Sequence, residues 1–332
     1  MEIFSNMKTN TLPVTGEKII LAPFTFSLFR MTLEAVETLH LPSYKGSAIR
    51  GSFGHTFKKV ACSQREMECK ECDISQKCVY AYIFETIANK NDSFLRNSGS
   101  VAHPYIIRPP LDAREVYGAG EELVFELILV GKAIDYMPYF AYTFVQMGEQ
   151  GLGRGRGKFI LKEIESVGLH GRHAAIYRLG DQNIKDETLP ITCEELLKSR
   201  SIPEECTLRF LTRLELKEKG GYPEPDFGLL FRGLLRRITT LGHLHCGLDC
   251  TSIDFSGLSH AADEVQTVSN RLDWEDAERF SNRQKQRMPF GGMKGEIAFR
   301  GDLTPFWPYI LLGEWVHLGK KTSFGLGRYV VD

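Results

Sequence analysis

The 332-residue sequence has almost no net charge, with 41 Lys and Arg against 42 Asp and Glu. A chain-wide basic field of the kind that draws in a polyanion is therefore absent. Long apolar runs are missing as well. The most apolar stretch, "EELVFELILVG" (residues 121–131), is short and broken by Glu126, so no membrane span and no membrane partner are expected. The opening "MEIFSNMKTNTLPVTGEK" is polar and holds no signal-peptide hydrophobic region. Export is not expected, so the eight cysteines should be reduced and the compartment cytoplasmic. There is no G-x-x-x-x-G-K-[ST] phosphate loop.

What is present is an ordinary globular composition, 42% hydrophobic and 25% charged, on a chain long enough for two domains. Its cations are clustered. Arg154, Arg156 and Lys158 lie in "MGEQGLGRGRGKF" (147–159), with five glycines. Lys320, Lys321 and Arg328 lie in "LGKKTSFGLGRYV" (318–330), and Arg232, Arg236 and Arg237 fall in a run without acids. Acids collect elsewhere, in "CEELL" and "IPEEC". Salt screens distant charges, so such local clusters matter more than the total.

The chain reads as a doubled unit. "ELVFELILVG" is a strand ending at Gly131. "DYMPYFAYTFVQMG" follows as a buried helix, with Asp135 as N-cap candidate, Pro138 in its first turn and its stop at Gly148. The Gly-basic stretch and the strand "KFILKEI" come next. Near the C-terminus the order repeats: strand "GEIAFRG", helix "LTPFWPYILLGEWVHLG" from Thr304 and Pro305 to Gly319, a Gly-basic stretch, and strand "GRYVV". Gly131 to Gly301 is a shift of 170, and Gly148 to Gly319 of 171. Upstream, "YKGSAIRGSFGH" and "LFRGLLRRITTLGH" are expected helices, each after a strand ("IILAPFTFSLFR" and "TLRFLTRLEL"). Gly46 to Gly233 and Arg50 to Arg237 are shifts of 187, and His55 to His243 of 188. Each unit starts β-α and ends β-α-β, with room for a strand between. The expected class is α+β: two tandem ferredoxin-like (RRM-like, βαββαβ) modules, 1–185 and 186–332, joined in the polar stretch around 181–205, with a Cys-rich insertion at about 61–80 in the first.

The Gly-basic loops precede the last strand of each module. Glycine lets backbone N–H groups approach a phosphate, and Arg or Lys neutralises it. These loops follow a helix and open a strand, the reverse of a dinucleotide fingerprint. The competing reading is a solvated hairpin loop. In the insertion, Cys62, Cys69, Cys72 and Cys78 place four thiols in seventeen residues, in the nearly apolar-free "SQREMECKECDISQKC". That spacing suits a structural zinc, with an iron–sulfur cluster as the alternative and four core cysteines as the plain reading. "HLHCGLDC" (243–250) offers His243, His245, Cys246 and Cys250, but His at i and i+2 do not share a helix face, so a core or helix-end role is expected. Phe24, Phe26, Phe306, Trp307 and Trp315 sit at core spacing; Tyr44 and Phe324, beside glycines and cations, are the stacking candidates.

"LPSYKGSAIRGSFGHTFKKVAC", "CVYAYIFE", "GLGRGRGKF", "PFGGMKGEIAFRGDL" and "LGKKTSFGLGRYVV" together resemble the CRISPR-associated repeat-processing endoribonucleases of the RAMP superfamily. The resemblance implies two ferredoxin-like modules and cleavage of CRISPR precursor RNA within its repeats. The implied reaction needs no cofactor: the 2′-hydroxyl attacks the adjacent phosphate and leaves a 2′,3′-cyclic phosphate and a 5′-hydroxyl. It also implies a catalytic His in or near the first helix. His55 in that helix is the first candidate, flanked by Arg50, Lys58 and Lys59; His40, near Tyr44 and Lys45, is the second, and these two neighbours complete the candidate catalytic set. The implied RNA-binding set is Arg50 with Gly151, Gly153, Arg154, Arg156 and Lys158 of the first loop, and Lys320, Lys321, Ser323, Gly325, Gly327 and Arg328 of the second. The resemblance favours the metal at the four cysteines. CRISPR repeat RNA and other CRISPR effector subunits are the expected partners. Two other readings stay open: a non-catalytic RNA-binding RAMP subunit of an effector complex, and an enzyme of small phosphorylated metabolites.

Overall fold

The computed structural model describes residues 20–87, 94, 101–216, 221–281 and 285–332. The polar N-terminal stretch and Ile19, where the first expected strand opens, lie outside them.

Two βαββαβ modules follow one another. In the first, β1 (Thr25–Ala35) leads through the short β2 (Leu39–His40) to helix α1 (Gly46–Ala61), β3 (Tyr105–Arg108), β4 (Val116–Tyr117), β5 (Glu122–Val130), helix α2 (Met137–Gln150) and β6 (Phe159–Val167). Its sheet runs β3-β5-β1-β6, extended by β7 (His173–Arg178), and β8 (Ile191–Thr192) pairs with β1. A short helix α3 (Cys193–Ser199) follows, closed by a capping box between Thr192 and Glu195. The second module has β9 (Glu205–Leu214), α4 (Phe227–Leu241), α5 (Phe255–Asp263), β10 (Gln266–Glu275), β11 (Glu278–Ser281), β12 (Gln286–Pro289), β13 (Gly292–Arg300), α6 (Trp307–Val316) and β14 (Tyr329–Val331). Its sheet runs β10-β13-β9-β14. Both sheets are antiparallel and share one strand order, so the doubling in the sequence is a doubling of fold. Among the described residues β11 and β12 pair only with each other, as a separate hairpin.

The pleat explains where the modules meet. Along β1, Phe29, Met31 and Leu33 face α1 and α2 and join Phe53, Phe57, Phe140 and Phe144 in one core. Phe26 and Leu28, pointing the other way, join Ile106 and Ile128 in a core continuous with the second module. Helix α4 supplies Phe227, Leu230, Phe231, Leu234, Leu235 and Ile238 to that core at helical spacing. Phe24, Phe26, Phe306 and Trp307 are buried as expected, and Trp315 packs partly buried against them.

Several boundaries differ from expectation. The second candidate histidine, His40, lies in the short strand β2 ahead of α1. Asp135 is not the N-cap of α2, because a 3₁₀ turn (Gly131–Tyr136) intervenes, and the helix passes Gly148 to end at Gln150. Helix α6 starts at Trp307, with Pro308 in its first turn, rather than at Thr304 and Pro305. No helix among the described residues is long and apolar enough to cross a membrane.

Candidate nucleic-acid interface

Helix α1 is built to show one face. Ile49, Phe53 and Phe57 turn inward, while His55 and Lys59 are exposed. No acid stands in its first turn, and Lys58 and Lys59 close its last turn, where the carbonyl ends favour cations. Partial burial, then the charges of Lys59 and of Arg156, hold the His55 imidazole below its usual pKa. Arg156 comes from the first Gly-basic loop, so that loop lies within electrostatic reach of α1. The tip carries exposed Arg154, Arg156 and Lys158. Its backbone is partly committed: Arg154 N–H donates to the His40 carbonyl at 2.9 Å, and Leu152 N–H to the Gly157 carbonyl at 2.9 Å. The loop therefore offers cations to solvent more than bare N–H groups.

The second Gly-basic loop is placed differently. Ser323, Gly325 and Gly327 are buried, and Lys320 is exposed. Lys321 is ion-paired with the buried Glu215, and its Nζ also donates to the Pro289 carbonyl at 2.9 Å. Arg328 lies 3.7 Å from Glu126 of the first module. The Tyr44 hydroxyl donates to the Phe324 carbonyl at 3.0 Å, and a Cβ on Gly46 would collide with that same oxygen. The loop is thus one of the contacts between the modules. Nearby, Arg108 is buried and donates to His317 Nε2 at 2.9 Å and to the Trp315 carbonyl at 3.1 Å.

A family model described as an N-terminal domain matches residues 24–189, and the model for the CRISPR-associated endoribonuclease Cas6 matches residues 208–329. The C-terminal module matches the Cas6 endoribonuclease family. Among curated proteins none matches it. A solved Cas6 product complex aligns with a TM-score of 0.54 at 17% identity, over 93% of this chain and 99% of that one. Cas6 of Thermus thermophilus aligns at 0.52 and 16% identity, over 93% and 99%. A partial Cas6-RT-Cas1–Cas2 complex aligns at 0.57 and 12% identity, over 95% of this chain and 47% of that longer one. Identities this low speak to the fold, and it is the double ferredoxin-like fold.

The sequence-predicted catalytic set divides into exposed and structurally committed side chains. Lys45 is fully buried, 3.1 Å from Asp112 Oδ1 and 2.8 Å from the Asp112 carbonyl. It anchors the start of α1 and has no free donor to offer a phosphate. Tyr44 is spent on Phe324, and burial pushes its hydroxyl well above the usual tyrosine pKa. His40 is exposed, and its carbonyl holds the first loop. His55 keeps an exposed ring beside cations.

The four cysteines of the insertion line one small pocket with Met67 and Ile74. Burial, then Glu85, Cys62 and Cys78, push the Cys69 thiol up to about 11. Yet among the described residues no three His, Cys, Asp or Glu side chains stand together as a metal would need. The thiols share walls without forming a ligand shell. In "HLHCGLDC" the core reading holds for His245, buried in a π-helical turn (Gly242–Cys246) that ends α4.

Proposed function

We propose that this chain is a metal-independent endoribonuclease that cuts CRISPR precursor RNA within its repeats. The observation that carries the reading is His55: an exposed imidazole, kept neutral near pH 7, with Lys59 and Arg156 beside it. A neutral imidazole takes the proton of the ribose 2′-hydroxyl. The 2′ oxygen then bonds to the adjacent phosphorus, and the P–O5′ bond breaks. The products are a 2′,3′-cyclic phosphate and a 5′-hydroxyl that takes its proton from solvent. Cations beside the imidazole stabilise the charge that gathers on the phosphorane-like transition state. Arg154, Arg156 and Lys158 hold the RNA backbone, and the exposed Lys320 extends the contact toward the second module. The cytoplasm is the compartment this work requires.

A structural zinc at Cys62, Cys69, Cys72 and Cys78 belongs to the same proposal. Its support is the ligand spacing and the shared pocket, and binding would draw the thiols closer together than they stand here. It has no part in the chemistry.

One observation favours a second reading, a non-catalytic RNA-binding subunit of an effector complex: Tyr44 and Lys45 are committed to structural contacts and are not free to serve His55 as acid–base partners. A labelled repeat RNA in EDTA decides. Cleavage to a cyclic phosphate, blocked by a 2′-deoxy substitution at the cut site, supports the nuclease. His55→Ala should slow the cleavage step roughly 10²–10⁴-fold with little change in RNA affinity. If His40→Ala is the slow variant instead, the residue assignment fails and the reaction class stands. Tight binding with no cleavage by the wild type leaves the effector-subunit reading.

A further inference from the structure

A single amide ties the end of helix α2 to the His55 face of α1. Gln150, the last residue of α2, accepts through Oε1 from Lys59 Nζ at 3.3 Å and from Thr56 Oγ1 at 3.4 Å. Its Nε2 donates to the Gln146 carbonyl at 3.3 Å. An ammonium only donates and a carbonyl only accepts, so the amide has one orientation here. Thr56 is buried and Lys59 exposed, which sets the amide oxygen at the rim where α1 meets solvent. Lys59 stands four residues after His55, on the same helix face. The tether therefore fixes a cation on the side of α1 that carries the imidazole.

The partner of Lys59 is neutral where other lysines of the fold have a charged one. Lys162, Lys198 and Lys294 are paired with Glu34, Glu194 and Glu275. A carboxylate in place of the Gln150 amide would hold Lys59 equally well and would cancel its charge at the imidazole. The amide holds the ammonium and leaves the charge whole. The same helix end also sets Arg156. A Cβ on Gly151, the next residue, would collide with the Arg156 carbonyl, and Arg156 takes a left-handed φ of +55°, which few non-glycine residues adopt. The first Gly-basic loop thus folds back onto the end of α2. A glutamine that merely closed α2 would need only its bond to Gln146, and the oxygen turned toward α1 has no part in that.

We propose that Gln150 is a positioning residue that holds the Lys59 ammonium, with its charge intact, beside the His55 imidazole. Its purpose rests on the nuclease reading above, and its geometry on the contacts between α1 and α2. Partial burial, then Lys59 from α1 and Arg156 from the first loop, act on His55 against protonation. Gln150 thereby serves two needs of the reaction. A neutral imidazole takes the 2′ proton, and a held cation meets the charge of the phosphorane-like state.

The test follows the His55 ring by NMR as pH is varied, in the full chain without RNA, with its resonance assigned by its loss in H55Q. Wild type is compared with Q150M, Q150E, K59M and Q150M/K59M. Methionine keeps the length of the side chain and removes the contacts of the amide. His55 should titrate at higher pH in Q150M than in wild type, and higher again in Q150E, which sets a carboxylate where the amide stood. In the K59M background Q150M should add nothing, because the tether has no cation left to hold. On repeat RNA, Q150M should slow cleavage at saturating RNA by roughly 10–10²-fold with KM little changed, and should move the acid limb of the rate profile to higher pH. A Q150M titration that matches wild type overturns the proposal, and so does one that shifts equally with and without Lys59. If melting shows that Q150M does not fold, Q150A, alone and with K59M, decides by the same titration. A protein that never cuts, but whose His55 titration follows Gln150 through Lys59, keeps the tether and loses the nuclease reading. One that cuts, with titration and rate both indifferent to Gln150, keeps the nuclease and loses the tether.

Discussion

Acid should loosen the junction between the modules through His245. The ring is 1% exposed, with Nε2 2.9 Å from the Ala102 carbonyl and Nδ1 3.1 Å from the Tyr82 hydroxyl. A carbonyl only accepts, so Nε2 carries the proton and Nδ1 accepts from Tyr82. The imidazole is neutral and ties the second module to the first. Burial, helped by the charges of Arg237 and Lys132, lowers its pKa from 6.5 to about 4 against the opposing pull of the Ala102 carbonyl. The folded pKa is depressed, so as pH falls the unfolded chain takes the proton first. The contribution is whole above pH 6.5 and is lost as pH falls toward about 4. At 1.36 kcal/mol per unit, the loss by pH 4.5 is about 2.5 kcal/mol. His103, lowered to about 3 by burial and by charges that include Arg237, drops in the same direction. The wild-type curve alone therefore does not isolate His245.

The comparison with His245→Gln does. Glutamine keeps an N–H for Ala102 and cannot titrate. Urea unfolding, followed by tryptophan fluorescence, should show the wild type more stable than the variant at pH 7.5. That gap should shrink by about 2.5 kcal/mol at pH 4.5. Stability curves that stay parallel across this range would refute the reasoning, and would mean that His245 is protonated in the fold or is not buried there.

Gly327 has φ +70°, and a Cβ there would collide with the Leu318 carbonyl, whereas Gly155 at φ +81° faces open space. Gly327→Ala should cost roughly 2–4 kcal/mol of stability and Gly155→Ala about 1 kcal/mol, read by thermal melting, and equal costs would contradict this packing. Replacing Arg154, Arg156 and Lys158 by Gln should lower the RNA salt slope by about 2, at roughly 0.7 each. Lys321→Gln should instead lower stability, because it leaves the buried Glu215 unpaired. Elemental analysis of protein purified without added metal should give about one zinc per chain. Iron in its place would point to a cluster, and metal-free protein with four thiols that titrate freely in the native state would refute the site.

The fold was legible because duplication leaves two independent copies of one pattern. The strand-helix-loop-strand order around residues 121–167 and 292–331 could be checked against itself, and both copies fold as read. Helix ends were less legible. The start of α2 is set by a 3₁₀ turn and that of α6 by Pro308, and neither choice is distinguishable from Asp135 or Thr304 in a local window. The site was only half legible. His55 and the first loop show as an exposed histidine near cations. Lys45 looks like a phosphate ligand in sequence, yet its partner Asp112 is 67 residues away.

The two Gly-basic loops show how one module came to differ from its copy. Both precede the last strand, and both carry cations among glycines. In the second, the cations turn inward: Lys321 to Glu215, and Arg328 toward Glu126 of the other module. Tyr44 and the glycine at the start of α1 then close on Phe324, so α1 packs on a loop of the other module as well as on its own core. That grip fixes α1, and with it the exposed His55 face, relative to the second module. The first loop has no such partner module, and its tip stays open beside α1. A loop used as a joint cannot also move freely to follow RNA, whereas the open one can. On the proposed reading this division of labour would put reaction chemistry on the first module and the clamp between modules on the second. It predicts that breaking the Lys321–Glu215 pair disturbs cleavage only through stability, while changes at Arg156 act on cleavage directly, through the His55 they flank.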